Sequence, residues 1–122
     1  SAASDVYKRQ TCSAQIPDSP VTIKMNETLA TILVTNIIKN AFVHSPEDGK
    51  VTLTLTENEL VVENSGDSPL DSSRIFERFY QGSKKEGSTG LGLALAKTIA
   101  DRCGMLLTYS YVDGMHRFSV KF

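Results

Sequence analysis

The chain has 122 residues, enough for one domain with one core and too few for two. With 13 basic and 14 acidic residues the net charge is −1, and the basic residues are spread along the chain, which argues against a nucleic-acid or membrane-surface partner. No uninterrupted apolar run approaches the roughly 20 residues of a membrane span. Two cysteines, Cys12 and Cys103, are too few for a disulfide scaffold and lack zinc-ligand spacing, so a reducing cytoplasm fits best.

Ser1 to Gln10 resemble a transposase-type sequencing adapter read through in frame, and are set aside as a non-native tail; a natural chain would then extend upstream of Thr11. Residues 11–19 read as a truncated lead-in and 20–122 as the domain. Residues 21–25 alternate as a short strand. Asn26 then reads as the N-cap of a helix with Glu27 in its first turn. Leu29, Ile32, Leu33, Ile37 and Ala41 give that helix a buried stripe, and Ser45-Pro46 should end it, because proline disfavours helical geometry in the residue before it. Val51, Leu53 and Leu55 alternate with threonines, and Leu60-Val61-Val62 follows a polar pair, which reads as a hairpin. Phe76 and Phe79 fall on a short predicted helix. Leu91, Leu95, Ile99 and Cys103 form an i, i+4 stripe on a further helix that Gly104 can close in a left-handed cap. Residues 105–112 and 115–122 flank Asp113-Gly114 as a second hairpin, with His116 read simply as a strand residue. A sheet covered by helices on one face is expected, an α+β two-layer sandwich.

Three segments carry the chemistry. Asn36 and Asn40 are four apart, hence on one helical face one turn apart, and His44 continues the line. Ile75-Phe76-Glu77-Arg78-Phe79-Tyr80 lies between them and the run Gly87-Ser88-Thr89-Gly90-Leu91-Gly92-Leu93. Such a run offers backbone amides and a helix N-terminus to anionic phosphates, and its glycines admit them without a β-carbon clash. A lone glycine loop is weak evidence, but the three segments in this order resemble the ATP-binding catalytic domain of sensor histidine kinases over roughly residues 20–122.

The resemblance implies the Bergerat ATP-binding fold, with a mixed, mostly antiparallel sheet, and ATP with Mg²⁺ as cofactors. It places the metal on Asn40 and gives Asn36 a part in shaping the phosphate site. Magnesium prefers oxygen ligands and keeps several waters, so one side-chain carbonyl can anchor it. His44 would border the adenine pocket. Glu63 to Asp67 resemble the first glycine box, in which Asn64 stands where an aspartate usually accepts from the adenine amine, and Gly66 would let the base approach. Asn64 gives a weaker, neutral bond, by an amount on the order of 1 kcal/mol. Phe76 and Phe79 would anchor a mobile lid, residues 81–88, Tyr80 would join them at the ATP site, and Thr89, Gly90, Leu91, Gly92 and Leu93 would hold phosphate. Val43 occupies the position of a basic residue in many relatives; Lys84, Lys85 or Arg78 could supply the missing charge, although the lysine pair would serve solubility equally well.

Position 36 carries no carboxylate to activate water, which favours phosphoryl transfer to a side chain over hydrolysis. The resemblance therefore implies a protein-histidine kinase fragment that would not autophosphorylate alone. Its phosphoacceptor would lie on an upstream dimerisation domain, its product would pass to a response regulator, and its parent would be a homodimer attached to the inner membrane with this domain in the cytoplasm. The alternative is a degenerate nucleotide-binding switch without phosphotransfer.

Overall fold

The computed structural model describes residues 9–78, 80 and 91–122. Five strands, β1 (Thr11–Gln15), β2 (Lys50–Leu55), β3 (Glu59–Ser65), β4 (Leu106–Val112) and β5 (Met115–Lys121), form one sheet in the order β1-β2-β3-β5-β4. Only the β1–β2 pair is parallel. Two helices, α1 (Glu27–His44) and α2 (Gly92–Arg102), pack on each other and cover one face. The expected two-layer α+β architecture is what forms.

Local chemistry explains the boundaries. The Asn26 side chain accepts the Leu29 N–H at 3.1 Å, satisfying one of the orphan donors at the start of α1. Ser45, before Pro46, is extended and ends the helix. Asp113 and Gly114 both have positive φ, 51° and 76°, as a two-residue type I′ hairpin turn requires. Gly104, at φ 71°, follows α2 in the left-handed region that favours glycine.

Four expectations are corrected. Residues 21–25 form no strand; Thr11–Gln15, within the expected lead-in, pairs with the β2 edge, and 21–25 instead packs Ile23 and Met25 against the core. Leu29 is exposed, leaving Leu33, Ile37 and Ala41 as the buried residues of α1. On α2, Leu91 and Leu95 are exposed, and the face turned inward carries Ala96, Ile99 and Ala100 with Leu93 and Cys103 beside them. Small residues let two helices approach closely, so packing against α1 selects the alanine face over the leucine pair. The segment holding Phe76 is not a helix but successive turns, closed by Arg74 N–H to Asp71 O and Glu77 N–H to Arg74 O.

The strand register arranges the inward face in three rows. Leu55, Leu60, Val120 and Leu107 form the first; Leu53, Val62, Phe118 and Tyr109 the second; Val51, Asn64, His116 and Tyr111 the third. The face is thus apolar at one end and polar at the other. Side chains paired across strands share a face and lie within reach of one another, so the third row brings together groups distant in sequence.

Candidate functional site

The polar row holds the most telling atom. Asn64 is 1% exposed; its Nδ2 donates to Ser65 O at 3.1 Å, while its Oδ1 is buried without a hydrogen-bond partner among the described residues. A buried acceptor lacking a donor costs about 1–3 kcal/mol, a cost that a ligand N–H would remove. Next to it, the Gly66 N–H donates to Gly114 O at 3.0 Å, and its carbonyl accepts the Tyr111 hydroxyl at 2.7 Å. The β4–β5 hairpin therefore pins the loop that follows β3.

His116 is the residue that sequence reasoning missed. Its ring fills the space a β-carbon on Gly66 would occupy, so the room that glycine was expected to leave for a base is bounded by imidazole. The Tyr109 hydroxyl accepts the Leu70 N–H at 2.9 Å and lies 2.8 Å from His116 Nδ1. With one lone pair of its oxygen taken by the Leu70 N–H, the hydroxyl is free to donate to Nδ1, in the tautomer that carries the imidazole proton on Nε2. Tyr109 stacks on the ring and Tyr111 leans against it, with centroids 5.9 and 5.1 Å away. The alternation of residues 107–111 and 116–120 about the Asp113-Gly114 turn could have paired His116 with Tyr111; its pairing with Asn64 needed the β3–β5 register.

Burial lowers the His116 pKa from its ordinary value of 6.5. The unfolded chain then binds the proton more readily than the folded one, so this group's contribution to stability is complete above pH 6.5 and is lost as pH falls through the folded-state pKa. The melting temperature should therefore decline with acidification from pH 6.5, and the decline should be shallower in His116→Phe; parallel profiles for the two proteins would contradict this.

On the helical side, Asn36 is half-buried and donates through Nδ2 to Ile32 O at 2.8 Å. A β-carbon on Gly92 would lie 2.9 Å from Asn36 Oδ1, so the start of α2 and the asparagine face of α1 meet at the third glycine of the run. Leu91 at the N-cap has no side-chain oxygen to offer the first-turn N–H groups of α2. Asn40 lies half-buried one turn after Asn36, its amide without a hydrogen bond among the described residues, and His44 ends the line, also half-buried. Gly92→Ala should displace the Asn36 amide while leaving the unfolding free energy within about 1 kcal/mol of wild type, because the clash falls on a side-chain end and alanine favours helix. Nucleotide affinity, followed by calorimetry, should fall; unchanged affinity would separate Asn36 from the site.

Phe76 meets Phe118 edge-on at 6.2 Å, and Lys97 Nζ lies 5.7 Å from its ring centroid. Tyr80 is half-buried under the Arg74 guanidinium at 5.1 Å, and Arg78 is exposed. Leu93 packs against the core and Leu91 faces outward. Phe79, Lys84, Lys85, Thr89, Gly90 and the expected lid, 81–88, lie outside the described residues. An apolar cavity of about 250 Å³ at the opposite, first-row end, lined by Ile16, Ile23, Leu33, Leu55, Val120 and Phe122, has few polar atoms and suits no phosphate.

An acceptor that has no partner among the described residues and lies beside a glycine, a helix start with no side-chain cap from Leu91 and a glycine-to-asparagine contact fit a purine nucleotide: an exocyclic amine at Asn64 and anionic phosphate at α2. Among the described residues no three His, Cys, Asp or Glu side chains cluster as a metal site, so an ion held by asparagine would draw its other oxygens from phosphate and water.

The sequence pattern of the histidine kinase-, DNA gyrase B-, and HSP90-like ATPase family matches residues 25–122. Sensor histidine kinase WalK of Bacillus subtilis (strain 168) is 35% identical over 111 residues, covering 81% of this chain and 18% of WalK. Sensor histidine kinase RppB of Synechocystis sp. is 40% identical over 84 residues, 61% of this chain and 18% of RppB. The chain thus spans about a fifth of the length of these relatives. Among solved structures, the catalytic domain of histidine kinase ThkA superposes with a TM-score of 0.82 at 17% identity, over 99% of this chain and 83% of that one. The mycobacterial sensor histidine kinase MprB gives 0.78 at 21% identity, over 96% and 85%. With its fold shared by these domains and the family pattern running from Met25 to the last residue, the chain belongs to the histidine kinase-, DNA gyrase B-, and HSP90-like ATPase family, as an ATP-binding catalytic domain of the sensor histidine kinase type.

Proposed function

We propose that this domain binds Mg-ATP between the Asn36/Asn40 face of α1 and the polar row of the sheet, and donates the γ-phosphoryl group to a histidine on a separate, upstream dimerisation domain. The observation that carries this reading is the buried Asn64 Oδ1, an acceptor without a partner among the described residues that an adenine amine would satisfy. Asn40 would supply the protein's oxygen to Mg²⁺. Asn36 and the start of α2 would hold phosphate, with Thr89, Gly90, Lys84 and Lys85 completing the site. Catalysis would rest on positioning and charge stabilisation. Since residue 36 is an amide and not a carboxylate, transfer is favoured over hydrolysis. The domain proper would comprise residues 20–122 together with the β1 strand, Thr11–Gln15, behind an adapter-derived tail, 1–10. A response regulator would receive the phosphoryl group, and the parent protein would be a homodimer anchored at the inner membrane with this domain in the cytoplasm. Neither helix described here is long and apolar enough to cross a membrane.

Mixing the chain with its parent's acceptor domain and γ-labelled ATP tests the reading. Acid-labile, base-stable label on the acceptor histidine is expected; release of inorganic phosphate alone would make the domain a hydrolase. Val43 and the neutral Asn64 favour a second reading, a nucleotide-binding switch, which binding without either product would establish.

A further inference from the structure

Asn64 and His116 face each other across β3 and β5, so their side chains emerge on the same face of the sheet at its polar end. Each has one polar atom spoken for. Asn64 Nδ2 is held by Ser65 O, which leaves Oδ1 a buried acceptor without a donor among the described residues. His116 Nδ1 is paired with the Tyr109 hydroxyl, itself fixed by the Leu70 N–H, and in the tautomer where that hydroxyl donates, Nε2 carries the ring proton. The Nε2 edge lies against Gly66, on the side where a side chain would have projected, and no described residue accepts its proton. The end of the sheet thus presents an acceptor and a donor side by side.

A 6-amino purine offers the complement on one edge: the amine donates and the neighbouring ring nitrogen, N1, accepts. A 6-oxo purine offers the reverse, an oxo acceptor beside a protonated N1, and meets like with like at both positions. Opposed acceptors or opposed donors leave buried polar groups unpaired, which is the strongest form of rejection that a small pocket achieves.

We propose that His116 is a specificity-determining residue of the nucleotide site, its Nε2–H donating to N1 of the base while Asn64 Oδ1 accepts from the 6-amine. This rests on the reading of the polar row as the base pocket. Tyr109 acts through His116 as a positioning residue, because its hydroxyl selects the tautomer that puts the proton on Nε2. Gly66 is the residue that lets the imidazole lie this close to the loop.

The test compares ATP, its 1-deaza analogue, in which C–H replaces N1, and inosine triphosphate, each titrated with Mg²⁺ into the 122-residue chain by calorimetry. Wild type should bind ATP about tenfold more tightly than 1-deaza-ATP, and inosine triphosphate more weakly still. In His116→Phe, which keeps a ring of similar bulk, ATP affinity should fall about tenfold and the gap between ATP and its deaza analogue should close. His116→Gln, which keeps an N–H, should restore part of that gap. A merely structural His116 would weaken both nucleotides equally, leave the gap intact and overturn the proposal. Tighter ATP binding by His116→Phe would overturn it too, by showing that the imidazole obstructs the base. If wild type binds ATP but does not distinguish the deaza analogue, this inference fails while the ATP site stands; if folded wild type binds no nucleotide, both fail.

Discussion

Asn40→Ala should remove magnesium-dependent ATP binding, lowering affinity by about 10- to 100-fold or beyond calorimetric detection. Asn36 and Asn40 lie one turn apart on α1, but their amides are differently employed: Asn36 is tied to Ile32 O and wedged against Gly92, whereas Asn40 has no hydrogen bond among the described residues. An amide oxygen on a half-buried helical face is a ready ligand for a hard cation whose remaining positions are taken by phosphate and water. Alanine is the best helix former, so the substitution should leave the fold intact or slightly stabilised. The loss can therefore be read as a loss of ligand. With EDTA in place of Mg²⁺, wild type and variant should converge on the same weak binding. Equal Mg-ATP affinity in the two proteins would remove Asn40 from the metal's coordination.

Much of the fold could be read from the chain because its signals are local. The Asn26 cap, the Ser45-Pro46 stop and the Asp113-Gly114 turn each act over a few residues, and each forms as expected. What failed depended on partners. The alternation of residues 21–25 is a strand signal, but a strand also needs an edge to pair with, and Thr11–Gln15 holds the β2 edge. The leucines at 91 and 95 make a stripe as convincing as the alanines at 96 and 100, and only the proximity of α1 decides between them. The site divides in the same way. Asn36, Asn40, Asn64 and Gly66 belong to short motifs and were identified as candidates from the sequence, whereas His116 carries no motif and gains its place from the pairing of β3 with β5, which joins residues more than 50 positions apart. No periodicity within one segment encodes that meeting.

Gly66→Ala should be the most damaging small substitution in the sheet's polar end. The added methyl would collide with the His116 imidazole, and neither partner is free to move away. The ring is held by the Tyr109 hydroxyl and packed between two tyrosines, and the loop is held by the Gly66 N–H to Gly114 O bond and by the Tyr111 hydroxyl on the Gly66 carbonyl. Overpacking a site fixed on both sides costs about 1–3 kcal/mol, so thermal unfolding should shift down by several degrees in a domain of this size. ATP affinity should fall further than stability, since any relief moves Asn64's neighbours at the base end of the pocket. A second substitution distinguishes this collision from a general intolerance of alanine in the loop. His116→Ala removes the ring, and the double variant should recover melting temperature relative to the sum of the single changes, with a coupling of roughly 0.5–3 kcal/mol. Additive losses would mean that the loop and the imidazole do not bear on each other, and that Gly66 is required for a reason other than the close approach of His116.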